Sequence, residues 1–280
     1  MADAWTPTTI LLEIESYATN SRAVQVETDQ GVEYLKCMSD KTDPTDLICD
    51  LIGSRLAKLF RLPVPDFHII PVTADSPITL KGNAMVHPGA GFISRKVSGE
   101  PLANNAAGLM SLANPQDLAR LVVFDTWTVN CDRHRPRTHP TGPRRNDRNL
   151  MLNRDGAPTG QFVLTLIDHG CCFRCQSDLT PPTLRRATTD DTLYGLFPEF
   201  RGLALREDAL RAADELQSLS RDAISTALTE VPTEWGFSHS VRDALLEMLT
   251  QRQRRVRRIV ETRFRAADLF DSEDTDGGAT

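Results

Sequence analysis

A chain of 280 residues with 40% hydrophobic and 25% charged residues is long enough for one large domain or two lobes around a cleft. No run reaches the roughly 18 apolar residues of a membrane span, and Asp3 without a basic n-region excludes a signal peptide at the N-terminus. A net charge of −6 excludes a globally basic nucleic-acid binder, so the expectation is a soluble cytoplasmic protein without a membrane partner.

Residues 9–14 and 23–26 read as strands, and Thr28-Asp29-Gln30-Gly31 as a turn. The alternating run 32–38 completes a hairpin. It places Lys36 inside a strand, on one face with Val32, Tyr34 and Met38. Only five residues are Lys, at 36, 41, 58, 81 and 96. Every basic residue after them is Arg or His. Residues 43–66 form the clearest early helix, with Asp43 or Thr45 as cap and Pro63 and Pro65 as stops. Strands follow at 67–72 and 91–102. From Asn114 a buried helix runs to Asn130.

Next comes "CDRHRPRTHPTGPRRNDRNLMLN", then the β-rich run 161–173 ending in Ile167-Asp168-His169-Gly170. Residues 203–268 read as mostly helical. The order implies an α+β, two-lobed, kinase-like fold: a β-rich lobe with one helix over 1–103, a helical lobe over 104–268 and a disordered acidic tail over 269–280. Of six Cys, Cys172 and Cys175 have CxxC spacing, a weak metal or redox signal without a second pair.

Phosphoryl transfer needs a Lys for phosphates, oxygen ligands for Mg²⁺ and an Asp that receives the acceptor proton. The chain supplies these in kinase order: Lys36, Asp132, Asn149, Asp168. Any one of them alone is weak, and the order is the signal. There is no G-x-G-x-x-G loop, because the first glycine is Gly31.

The pattern "FDTWTVNCDRH…RNLMLN…LTLIDHGCCF" resembles the HipA-like kinases, relatives of the phosphatidylinositol 3-/4-kinase fold, and the resemblance covers most of 8–265. It implies ATP and Mg²⁺, with Lys36 on the ATP phosphates, Asp132 as catalytic base, and Asn149 and Asp168 on the metal. It also implies a phosphate-cradling loop at 16–22, where Ser16, Thr19, Asn20 and Ser21 offer donors. Arg133 and His134 fall beside the site without an assigned role. Asp50 stands where relatives carry a Glu paired with the strand Lys. It is one methylene shorter, which puts that pair in question. His169 replaces the Phe of Asp-Phe-Gly; it is a packing residue or a group titrating near neutrality.

Asp132 and Asn149 are 17 residues apart, where a compact catalytic loop uses about five. The Arg- and Pro-rich insert between them reads as either a solvated loop or a basic mouth for an acidic or phosphorylated substrate. Asn146 competes with Asn149 as metal ligand. Arg252, Arg254, Arg255, Arg257 and Arg258 read as the solvated face of a packed helix rather than a nucleic-acid patch. The expected activity is phosphorylation of a Ser/Thr hydroxyl on a protein. The alternatives are a lipid or small-molecule kinase, an ATP-binding pseudokinase, and a regulator using its arginines on nucleic acid.

Overall fold

The computed structural model describes residues 5–17, 23–82, 84–174 and 177–264. Asn20, Ser21 and Thr19 of the expected phosphate loop, Cys175 of the CxxC pair and the acidic tail lie outside these residues.

Strands β1 (Ile10–Ser16), β2 (Val24–Thr28) and β3 (Gly31–Lys36) form a meander. Gly31 sits at φ 123°, a backbone only glycine adopts freely, and closes the β2–β3 turn opposite Thr28. Helix α1 (Pro44–Leu59) follows, capped by Asp43, whose carboxylate accepts from the Thr45 N–H. It ends before Pro63, with Arg61 at φ 60° turning the chain. Strands β4 (Phe67–Val72) and β5 (Gly89–Arg95) complete an antiparallel sheet of order β1-β2-β3-β5-β4. One sheet face buries Val24, Val26, Leu35, Cys37, Ile70 and Ile93 as a separate small core. Lys36 alternates away from Leu35 and Cys37, towards α1.

Strand β6 (Gly99–Pro101) leaves this sheet and pairs instead with residues 151–153 further along the chain. Helix α2 (Gln116–Thr128) is the axis of the second half, with Leu118, Leu121, Val122, Val123, Phe124 and Trp127 all inaccessible to solvent. The insert is largely exposed but ordered as a hairpin: β7 (His134–Arg135) pairs with β8 (Arg144–Arg145). Its tip is drawn in by Arg135, which donates to the carbonyls of Gly142 and Thr141. Strands β9 (Leu150–Asn153) and β10 (Val163–Leu166) form a second hairpin, joined by β6.

The expected strand over 161–173 is thus only its middle. It ends at Leu166 because residues 167–174 turn to pack beneath α1 and α2. Helix α3 (Pro181–Thr188), which periodicity does not announce, is capped by Thr180 and started by two prolines. Then come α4 (Arg206–Ser218), α5 (Arg221–Ala227) and α6 (His239–Ile259). No described helix is long and apolar enough to cross a membrane.

Candidate active site

Lys36 ends β3 and is 8% exposed. Its ammonium donates to Asp50 Oδ2 at 2.7 Å and to Asp168 Oδ1 at 3.0 Å. The shorter Asp50 therefore does reach the lysine. Its other oxygen accepts from the His169 N–H at 2.7 Å, so one α1 carboxylate fixes both the lysine and the chain after Asp168. Asp168 lies at φ 55°, in the left-handed region that Asp tolerates better than most residues. Its side chain is 37% exposed, and Oδ2 receives no hydrogen bond from the described residues.

Asp132 follows the end of α2. Val129, at φ 53°, ends that helix; a β-branched residue there is strained by roughly 1–2 kcal/mol. The turn aims Asp132 into the second cluster. Its Oδ1 accepts from Arg144 Nε at 3.0 Å and lies 2.9 Å from Arg144 Nη2. Its Oδ2 accepts from Asn146 Nδ2 at 2.8 Å and Asn149 Nδ2 at 3.1 Å. The β7–β8 ladder folds the insert back so that residues 17 apart in sequence share a hydrogen bond. Asn149 and Asp168 leave the same end of the β9–β10 hairpin, and Asn149 O accepts from the Ile167 N–H at 3.1 Å. Asn146 belongs to the insert, with its N–H on Arg133 O at 2.7 Å.

Comparison with known proteins places this geometry. The model of the HipA-like kinases matches residues 15–267. The chain belongs to the HipA-like kinase family. No curated protein matches it. Among solved structures it is similar to the crystal structure of a Helicobacter pylori proinflammatory kinase, CtkA, at 13% identity and TM-score 0.55 over 92% of this chain and 98% of that one. That likeness shows a kinase-like fold. Vaccinia related kinase 3 aligns at 12% identity over 88% of this chain and 91% of that one, but at TM-score 0.30 it carries no weight. Membership makes the chain a kinase-like phosphotransferase.

The electrostatics of this family member follow from burial. Burial works against the Lys36 charge, but Asp168 and Asp50 outweigh it and raise its pKa, so the ammonium is permanent. Burial pushes Asp50 up, and Lys36 offsets only part of that. For Asp168, burial is overcome by Lys36, and the carboxyl lies below its ordinary range. His169 is held well below 6.5 by burial and by the charges of Arg133 and Lys36, so it is neutral. Its ring packs edge-on against Phe124 and sits 3.4 Å from Ser54 Oγ, which makes it a packing residue.

Three positioning residues gain roles that the sequence did not assign, Arg133 among them although its place beside the site was expected. Fully buried Arg133 bridges Asp125 Oδ1 at 2.5 Å and the Ile167 carbonyl at 3.1 Å, and so braces the residue before Asp168. An Asp inside the apolar run "VVFDTW" was the signal, because a buried carboxylate requires a partner. Arg174 ties the turn after Asp168 to Asp43 at 2.9 Å and to Asp46. Arg144 contacts Asp132 directly, and no sequence feature separates it from its arginine neighbours. A separate hollow of about 610 Å³, lined by Leu51, Arg55, Phe67 and Val231 among others, shares no residue with this site.

Proposed function

We propose that the chain transfers the γ-phosphoryl group of ATP, in the presence of Mg²⁺, to a serine or threonine hydroxyl of a protein. What carries the reading is one observation. The charged triad Lys36–Asp50–Asp168 and the Asp132–Asn149 pair are joined through the Asn149–Ile167 backbone bond.

The donor set suits a hard cation. Asp168 Oδ2 and Asn149 Oδ1 are oxygens that receive no hydrogen bond from the described residues. The bound metal would neutralise phosphate charge. Lys36 neutralises phosphate oxygens from the opposite lobe, held extended by Asp50. The acceptor oxygen bonds to the γ-phosphorus while the bond to the β,γ-bridging oxygen breaks. The acceptor's proton passes to an Asp132 oxygen, and ADP leaves.

The test is incubation with labelled ATP and Mg²⁺ in the presence of cell-extract proteins. Asp132→Asn lowers protein labelling at least about 100-fold in chain that remains folded by circular dichroism, and Asp168→Asn abolishes it. Labelling that survives Asp132→Asn overturns the reading. Label found only in lipid or small metabolites moves the acceptor to that class.

A further inference from the structure

The Asp132 carboxylate is engaged on both oxygens. A carboxylate offers about four lone-pair sites. Arg144 Nε donates to Oδ1 and its Nη2 stands 2.9 Å from the same oxygen, while Asn146 and Asn149 both donate to Oδ2. A hydroxyl entering this site meets Oδ2 taken by two amides and Oδ1 covered by the guanidinium, so one donor must move aside before Asp132 can take a proton. Asn149 is 7% exposed and has both backbone groups bonded. Asn146 is pinned through its N–H to Arg133 O.

Arg144 has the open route. Its side chain is 43% exposed, and Asp132 is its one side-chain partner among the described residues. Its backbone is held by the ladder to Arg135, so the guanidinium can swing without undoing the insert. The neighbouring arginines are engaged elsewhere. Arg145 bonds Asp147 at 2.5 Å and Glu199 at 2.7 Å, and Arg135 bonds loop carbonyls. Trading a carboxylate for water costs the guanidinium a charge-assisted pair, whereas trading it for another anion does not.

We propose that Arg144 selects the acceptor: a carboxylate or phosphate beside the reacting hydroxyl takes the guanidinium and so frees an Asp132 oxygen for the hydroxyl proton. The proposal rests on the phosphotransferase reading above and names the substrate class of that site.

The experiment measures ADP formation by the full chain with ATP and Mg²⁺, which counts transfer to every acceptor including water. Three serine peptides identical except for the flanking residues (Ala, Asp or phosphoserine) serve as probes. The wild-type chain is expected to turn over faster, by roughly tenfold, with the Asp or phosphoserine peptide than with the Ala peptide. The two anionic arms show whether carboxylate or phosphate is the better trigger. In Arg144→Gln the preference collapses and turnover with the Ala peptide rises. Arg144→Lys, which keeps the charge but not the fork, restores the preference in part. Equal rates with all three peptides in wild type mean that Arg144 yields to ATP itself, and overturn the proposal. So does a preference that persists in Arg144→Gln. If Asp132→Asn forms ADP as fast as wild type, the phosphotransferase reading falls and takes this one with it. If Asp132→Asn is inactive while Arg144→Gln behaves as wild type, this one falls alone.

Discussion

Around Asp168 the contacts leave no slack. A Cβ on Gly53 would stand 2.5 Å from His169 Cβ, so α1 approaches the Asp-His-Gly turn only because residue 53 lacks a side chain. Gly53→Ala is expected to lower stability by about 1–3 kcal/mol through overpacking. It should also depress turnover, since the push falls between Asp50 and Asp168; thermal melting and ADP formation read the two effects. His169 has a pH signature. Its folded pKa lies well below the ordinary 6.5. Stability from the neutral ring is therefore present above pH 6.5 and is lost as the unfolded chain takes up a proton below it. The advantage of wild type over His169→Gln should shrink by about 1.4 kcal/mol between pH 7.5 and 5.5. Asp125, which burial pushes up to about 6, acts in the opposite sense, but cancels in this difference. A gap that is flat with pH would mean that His169 keeps its ordinary pKa in the fold, and one that widens towards pH 5.5 that the ring is charged there.

Among the elements, α6 departs most from expectation. Its arginines are not a uniform solvated face. Arg252 is fully buried and donates to the carbonyls of Trp127 at 2.9 Å, Ala187 and Asp190 at 2.7 Å, and Thr126. It thereby satisfies the C-terminal carbonyls of α2, where a cation is favoured. Burial lowers its pKa to about 10, and it remains charged at neutral pH. Arg255 and Arg258 hold Asp191, and Arg257 holds Asp214. Arg252→Met, which leaves dry carbonyls behind, should cost about 3 kcal/mol or more. Arg252→Lys should recover only part, because an ammonium cannot span the same carbonyls. Chemical denaturation of both variants reads this, and a change under 1 kcal/mol would contradict it.

At the scale of the molecule, one core joins the two halves. Leu47, Leu51 and Ile52 of α1, and Phe60 just after it, belong to the same apolar cluster as α2, α4 and α6, while one face of the first sheet has its own core. Lys36 with Asp168, and Arg174 with Asp43, add ion pairs across the same seam. The chain is expected to unfold in a single transition, with Trp5 in the first half and Trp127 in the second reporting the same midpoint. Fluorescence and far-ultraviolet circular dichroism melts with different midpoints would show that the halves melt independently.

Much of this was legible in the sequence. Alternation set Lys36 on one strand face apart from Leu35 and Cys37, the cap and the apolar spacing set α1, and the kinase order picked out Lys36, Asp132, Asn149 and Asp168, which the fold brings together as two linked clusters. These are local patterns, and local sterics and burial enforce them. Arg252 was legible but not read: it lies three residues after Leu249 and four before Val256, on the apolar stripe itself. Other features belong to the tertiary structure alone. Asp50 reaches Lys36 because of the distance between a helix and a sheet, which a missing methylene does not reveal. Arg144, rather than Arg145 or Arg148, meets Asp132 because the β7–β8 register points one of three similar arginines inward. Partner choice among like charges is a matter of position in space, and only the packed chain assigns it.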